Sequence, residues 1–117
     1  LEFILADLAT KANTDDSVRL ARAVQSEMVQ GLRRHWGKDA IRDLGVKQAL
    51  FYVLVGARMP AILVEASFVS HPEEEKRLRT DRYQEETARG IAEGVRRYLA
   101  EREALAQGGT ADTDSVF

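Results

Sequence analysis

The sequence contains no cysteine, which excludes a disulfide framework and a thiolate metal site within it. That absence leaves the compartment open, since many proteins of oxidising compartments also lack cysteine. Histidine is scarce as well: only His35 and His71 are present. Neither stands in a known ligand spacing such as His-Glu-x-x-His, and a histidine-based zinc site needs about three protein ligands. There is no basic excess. Seventeen Lys and Arg stand against 19 Asp and Glu, a net charge of -2, so nucleic-acid binding is not expected. No apolar run approaches the ~20 residues that span a bilayer. No signal peptide is visible, and a chain beginning at Leu1 rather than Met is expected to start at a processing or expression boundary. None of Ser17, Ser26, Ser67 and Ser70 lies in a Gly-x-Ser-x-Gly setting, which argues against a serine nucleophile. Gly56 stands alone, without a phosphate-loop pattern.

What is present suits a folded chain. The length of 117 residues is a soft prior for one domain. Hydrophobic residues make up 44% and charged residues 31%, which argues against full disorder. Leu1, Ile4, Leu5 and Leu8 have helical spacing, and the polar stretch 11–16 after them reads as a turn rich in N-cap residues. A long helix follows, with Val18, Ala21, Val24, Met28 and Leu32 on one face and Arg19, Arg22, Gln25 and Arg33 on the other. Gly37 is placed to end it. Pro72 opens a short helix over 73–79, with Glu73, Glu74 and Glu75 in its first turn. Glu73 with Arg77 and Glu75 with Arg79 are weakly supporting pairs. A last helix starts near Asp81, with Gln84 as a capping partner and Ala88, Ile91, Ala92, Val95 and Leu99 as its apolar stripe. Residues 107–117, rich in Gly, Thr and Asp, read as a loose tail.

Two segments have another character. Residues 49–55 and 61–64 are continuous apolar runs rich in β-formers, and the pattern predicts strands covered on both faces. The five residues between them are too few for a crossover, so neighbouring strands would be antiparallel. Two strands do not make a stable sheet, which points to part of a larger α/β domain or to a small α+β unit completed by dimerisation.

Glu65 is the most informative single residue. It follows Ala-Ile-Leu-Val directly. A carboxylate ending a buried strand is costly unless paired, hydrogen-bonded or metal-linked. The carboxyl ends of strands in α/β sheets are also where ligands bind. The alternative is a strand-end Glu turned to solvent or tied to an Arg. His35 suits a helix C-terminus, and His71, just before Pro72, occupies an N-cap position. Gly90 and Gly94, four apart on one helix face, allow close packing.

The segment Gly45-Val46-Lys47-Gln48-Ala49-Leu50-Phe51-Tyr52-Val53-Leu54, followed by Met59-Pro60-Ala61-Ile62-Leu63-Val64-Glu65-Ala66-Ser67-Phe68-Val69-Ser70-His71-Pro72-Glu73-Glu74, resembles the C-terminal half of the zinc-dependent N-acetylmuramoyl-L-alanine amidases, the amidase-3 family. Tyr83-Gln84 and Ile91-Ala92-Glu93-Gly94-Val95 resemble the closing helix of that family. Ile4-Leu5-Ala6-Asp7-Leu8-Ala9 with Ser17-Val18-Arg19-Leu20-Ala21 is similar to the Gram-negative cell-division type, just after its regulatory insertion. The resemblance covers residues 3 to 100. His71 departs from it, standing where the family has Asn, at a position that is not a metal ligand.

The resemblance implies a fold: α/β, the C-terminal part of a mixed-sheet domain flanked by helices and incomplete in this chain. Residues 1–106 would be that portion, 1–12 the end of a regulatory insertion, and 107–117 a flexible tail. It implies an enzyme that hydrolyses the amide between N-acetylmuramic acid and L-alanine in peptidoglycan, for cell-wall remodelling or daughter-cell separation. One zinc ion would be held by two His and one Glu outside this chain. Glu65 matches the family's catalytic glutamate, general base toward water and then proton donor to the leaving amine. Peptidoglycan and an activator protein docking on the insertion are the implied partners, and the implied location is periplasmic or extracytoplasmic. The rival readings are a non-catalytic fragment or a cell-wall- or protein-binding module without the metal site, and a swapped piece completing another chain's sheet. Nothing in the sequence identifies the activator, the stem-peptide preference, the substrate-binding residues or the oligomeric state.

Overall fold

A helix of 35 residues is about 50 Å long, and its stability comes mostly from what packs along it. The computed structural model describes residues 2–48 and 52–111, with side chains from Asn13 onward in the first helix and through Gly108 in the last. In chain order it has α1 (Glu2–Trp36), a 3₁₀ turn (Tyr52–Leu54), α2 (Pro72–Leu78) and α3 (Asp81–Ala111). α1 and α3 lie antiparallel: Gly90 meets Met28 and Gly94 meets Val24. The molecule is 60 Å long and 20 Å across at its thinnest.

α1 corrects one expectation. The polar stretch 11–16 does not break the chain into two helices, because α1 runs through it. Asn, Thr and Asp disfavour helix interiors by no more than about 0.7 kcal/mol each, too little to stop a long helix. The stop at Gly37 is as expected. Its φ of +82° is left-handed, and its N–H donates to Arg33 O at 2.8 Å, closing the last turn.

The connection after α1 is tied back to the helices. Asp43 Oδ1 accepts from Gln25 Nε2 at 2.7 Å and from Gly45 N–H at 2.9 Å. Arg33 Nε donates to Ile41 O at 3.2 Å, and Arg77 Nη1 donates to Ala40 O at 2.6 Å. These bonds seat Ile41 in a small core with Leu32 and Tyr83, against which Trp36 and Leu78 pack. The Trp36 and Tyr83 rings meet edge to face, centroids 5.5 Å apart, the arrangement aromatic quadrupoles favour.

The expected mixed α/β sheet is overturned. Among the described residues there is no strand. Residues 52–54 form the 3₁₀ turn and 61–68 are irregular, while 49–51 lie outside the described residues. Apolar β-formers give the composition of a strand, but a strand exists only where a ladder partner takes its backbone groups. Here Ala61 N–H goes to the Ser17 hydroxyl instead, at 3.0 Å.

α2 matches the helix expected after Pro72. Arg79 pairs with Glu75 at 2.6 Å, whereas Arg77 turns to Glu73 backbone oxygen at 3.3 Å rather than to its carboxylate. α3 is capped by Thr80: its hydroxyl accepts from Tyr83 N–H at 3.2 Å, while Gln84 Nε2 reaches Leu78 O at 3.0 Å. The face of α3 that packs is not the expected stripe. Tyr83, Thr87, Gly90, Gly94 and Tyr98 are buried, Ile91 is half-buried, and Ala88, Ala92, Val95 and Leu99 are exposed. Two glycines let the backbones touch, and the rings of Tyr83 and Tyr98 bury apolar area on that same face. α3 also runs through 107–111, where a loose tail was expected; 112–117 lie outside the described residues.

Candidate functional site

Between α1 and the irregular segments 40–48 and 61–68 lies an open cleft of about 850 Å³. Ser17, Ala21, Val24 and Met28 form its α1 wall. Leu44, Leu63, Glu65 and Phe68 line the facing side, with Tyr83 between. The lining mixes these apolar side chains with polar and charged ones, Gln25, Arg42, Lys47 and Arg77 among them.

Glu65 is exposed, at the rim of this cleft. Among the described residues no side chain pairs with its carboxylate. The costly buried carboxylate expected at a strand end is therefore not what the molecule contains: without a strand, the carboxylate stays hydrated.

The segment that carries Glu65 is irregular yet held at three points, each by a different helix. Ser17 of α1 accepts from Ala61 N–H at 3.0 Å. Tyr83 of α3 donates its hydroxyl to Ala66 O at 2.7 Å. Glu74 of α2 accepts from Phe68 N–H at 3.2 Å. Sequence reasoning missed all three. Ser17 lies 44 residues from the amide it accepts from, which no local pattern signals, and Tyr83 opens α3 in a polar setting that hides its burial.

The histidines do other work. His35 Nε2 lies 3.1 Å from Glu86 Oε1, and its Nδ1 lies 2.5 Å from Arg82 Nη1. His71 is exposed at the N-cap of α2, in extended conformation, and its side chain makes no cap hydrogen bond.

The family model described as N-acetylmuramoyl-L-alanine amidase, amidase-3, matches residues 3–97. The chain belongs to this family. N-acetylmuramoyl-L-alanine amidase AmiA of Escherichia coli K12 is 46% identical over 99 residues, 85% of this chain and 32% of that protein. AmiC of Neisseria meningitidis serogroup B is 37% identical over 95 residues, 81% of this chain and 21% of that protein. AmiC of Escherichia coli O6:H1 is 31% identical over 109 residues, 93% of this chain and 24% of that protein. The amidase-family chain thus spans a fifth to a third of the length of these relatives. No solved structure matches it.

In this amidase-family chain, no group of three His, Asp or Glu among the described residues could hold a metal ion. His35 is engaged at the helix end and His71 lies apart from it at the start of α2. The residues present do not fit the zinc site that the family resemblance implies. Among the described residues no helix is long and apolar enough to cross a membrane.

Proposed function

We propose that residues 1–106 are the C-terminal portion of the catalytic domain of an N-acetylmuramoyl-L-alanine amidase and supply its proton-handling carboxylate, Glu65. The complete protein hydrolyses the amide between N-acetylmuramic acid and L-alanine of peptidoglycan, in the periplasm or another extracytoplasmic space where that polymer lies. The observation that carries this reading is Glu65 itself: an exposed carboxylate lining the cleft, with no partner among the described residues, inside the stretch that matches the family. In this reading the zinc ion would be held by residues outside the chain.

What Glu65 does follows from amide chemistry. Water attacks the scissile carbonyl, and the carboxylate takes one proton from it. The C–N bond then breaks, and the protonated Glu65 gives that proton to the departing amine of L-alanine. Without it the nitrogen would leave as an amide anion. General acid–base help of this kind is worth about 10²–10⁴-fold. The exposed apolar side chains Val53, Leu63, Phe68 and Val69 support a further part of the reading, that the remaining polypeptide covers this side of the chain.

Glu65→Gln in the full-length protein is expected to keep fold and metal content and to lose most turnover on purified peptidoglycan. Near wild-type amide release would sink the assignment. Control is a second element: an insertion ending within 1–12 blocks the site until an activator protein docks on it. α1 supports this, since those residues share one continuous helix with the cleft wall at Ser17. Deleting the insertion should raise basal release, and an unchanged basal rate would refute the control.

A further inference from the structure

Of the three anchors of segment 61–68, one sits next to Glu65. Tyr83 donates to the carbonyl of Ala66, the residue that follows the carboxylate in the chain. The tyrosine is 6% exposed. Its ring is packed with Leu32 and Ile41, with Trp36 edge-on at 5.5 Å. A ring so enclosed cannot swing away, so its hydroxyl points to one place. Glu65 has no partner of its own among the described residues, and its aim is set by the backbone from which it hangs. Ser17 at Ala61 and Tyr83 at Ala66 together fix that backbone on both sides of the carboxylate's attachment.

We propose that Tyr83 is a positioning residue for Glu65: its hydroxyl holds the Ala66 carbonyl and thereby aims the carboxylate into the cleft. The inference rests on the reading of Glu65 given above. Removing the hydroxyl leaves the ring packing intact but frees the 66–67 peptide to rotate. A displacement of about 1 Å at a catalytic group can lower a rate about 10²-fold.

The test uses the full-length protein with its metal, comparing wild type, Tyr83→Phe, Glu65→Gln and the double variant on purified peptidoglycan. Tyr83→Phe should lower kcat by about 10- to 100-fold with KM nearly unchanged. The limb of its pH–rate profile that reports the carboxylate should shift, while metal content and Tm stay near wild type. In the Glu65→Gln background the same change should cost nothing further, because the group it aims is gone. Wild-type kcat and pH profile in Tyr83→Phe, beside an inactive Glu65→Gln, would overturn the positioning role and leave the Glu65 reading standing. An equal loss in both backgrounds, or a large drop in Tm, would mark Tyr83 as a packing residue only and overturn the proposal. An active Glu65→Gln would remove the Glu65 reading and the positioning role with it.

Discussion

Replacing Gly94 by alanine sets two opposed effects against each other. Inside a helix alanine is favoured over glycine by about 1 kcal/mol. At Gly94, however, the added methyl would sit 2.7 Å from Val24 N and 2.8 Å from Val24 Cγ2, and closer still to Val24 Cα. Backbone atoms cannot turn aside as a side-chain tip can, so α1 and α3 must separate. Overpacking of this kind costs about 1–3 kcal/mol, and the separation also loosens the neighbouring Gly90–Met28 contact. The steric effect therefore wins, with a net loss of up to about 2 kcal/mol. Gly90→Ala should behave alike, its methyl meeting Met28 Cα at 2.7 Å and Met28 N at 2.9 Å. Two other helical glycines serve as controls. At Gly31 the nearest atom is Glu86 Oε2 at 3.6 Å, an ordinary contact, and at Gly108 nothing lies within 4 Å. There the propensity acts alone, and each alanine should stabilise by up to about 1 kcal/mol. Thermal melts of the four variants decide it, at about 4 °C per kcal/mol for a chain of 117 residues. Gly94→Ala and Gly90→Ala should melt below wild type, Gly31→Ala and Gly108→Ala at or above it. If Gly94→Ala melted with the controls, the backbone-to-backbone crossing would be wrong.

Tyr98 is 4% exposed and its hydroxyl is buried without a hydrogen-bond partner among the described residues. Tyr98→Phe should leave stability unchanged or raise it by about 1 kcal/mol, and a clear fall in denaturation midpoint would show that the hydroxyl has a partner. The Asp43 carboxyl is held below its ordinary value, first by the Gln25 side-chain amide, then by Gly45 N–H, with Arg33 adding and burial opposing. Because the folded value is the lower one, its stabilisation is full above about pH 4 and is lost as pH falls through the folded value. Gln25→Ala should move that titration upward, read by carboxyl NMR, and an unmoved titration would refute the cause.

Features whose causes are local were legible in the sequence. Pro72 followed by three glutamates made a helix start, Gly37 made a stop, and the spacing of Gly90 and Gly94 announced close packing. Features decided by partners far along the chain were not. The α3 stripe of Ala88, Ile91, Ala92, Val95 and Leu99 has the better hydrophobic pattern, yet the glycine face packs because only there can two backbones touch. The stretch 61–64 has strand composition, but composition supplies no ladder partner. For Glu65, the place after an apolar run suggested a buried carboxylate, and the alternative of a side chain turned to solvent is the one the structure shows. Its supports were invisible, since Ser17 lies 44 residues from Ala61 and Tyr83 lies 17 from Ala66.

The way segment 61–68 is held separates activity from stability. α1 and α3 share a long face whose disruption strips packing from both, so a change at Gly90 or Gly94 acts on the whole molecule. Segment 61–68 has no ladder and is tied by single side-chain hydrogen bonds, each worth about 1 kcal/mol net. A stretch tied in this way opens at a free energy well below that of global unfolding. Variants that remove only one anchoring group, the Ser17 or Tyr83 hydroxyl or the Glu74 carboxylate, should therefore shift the position of Glu65 while the helices melt as before. A scaffold that is rigid where helices cross and adjustable where the carboxylate hangs lets Glu65 be re-aimed by one substitution without loss of the fold. It also means that a variant poor in turnover but normal in Tm implicates this segment before it implicates the helices.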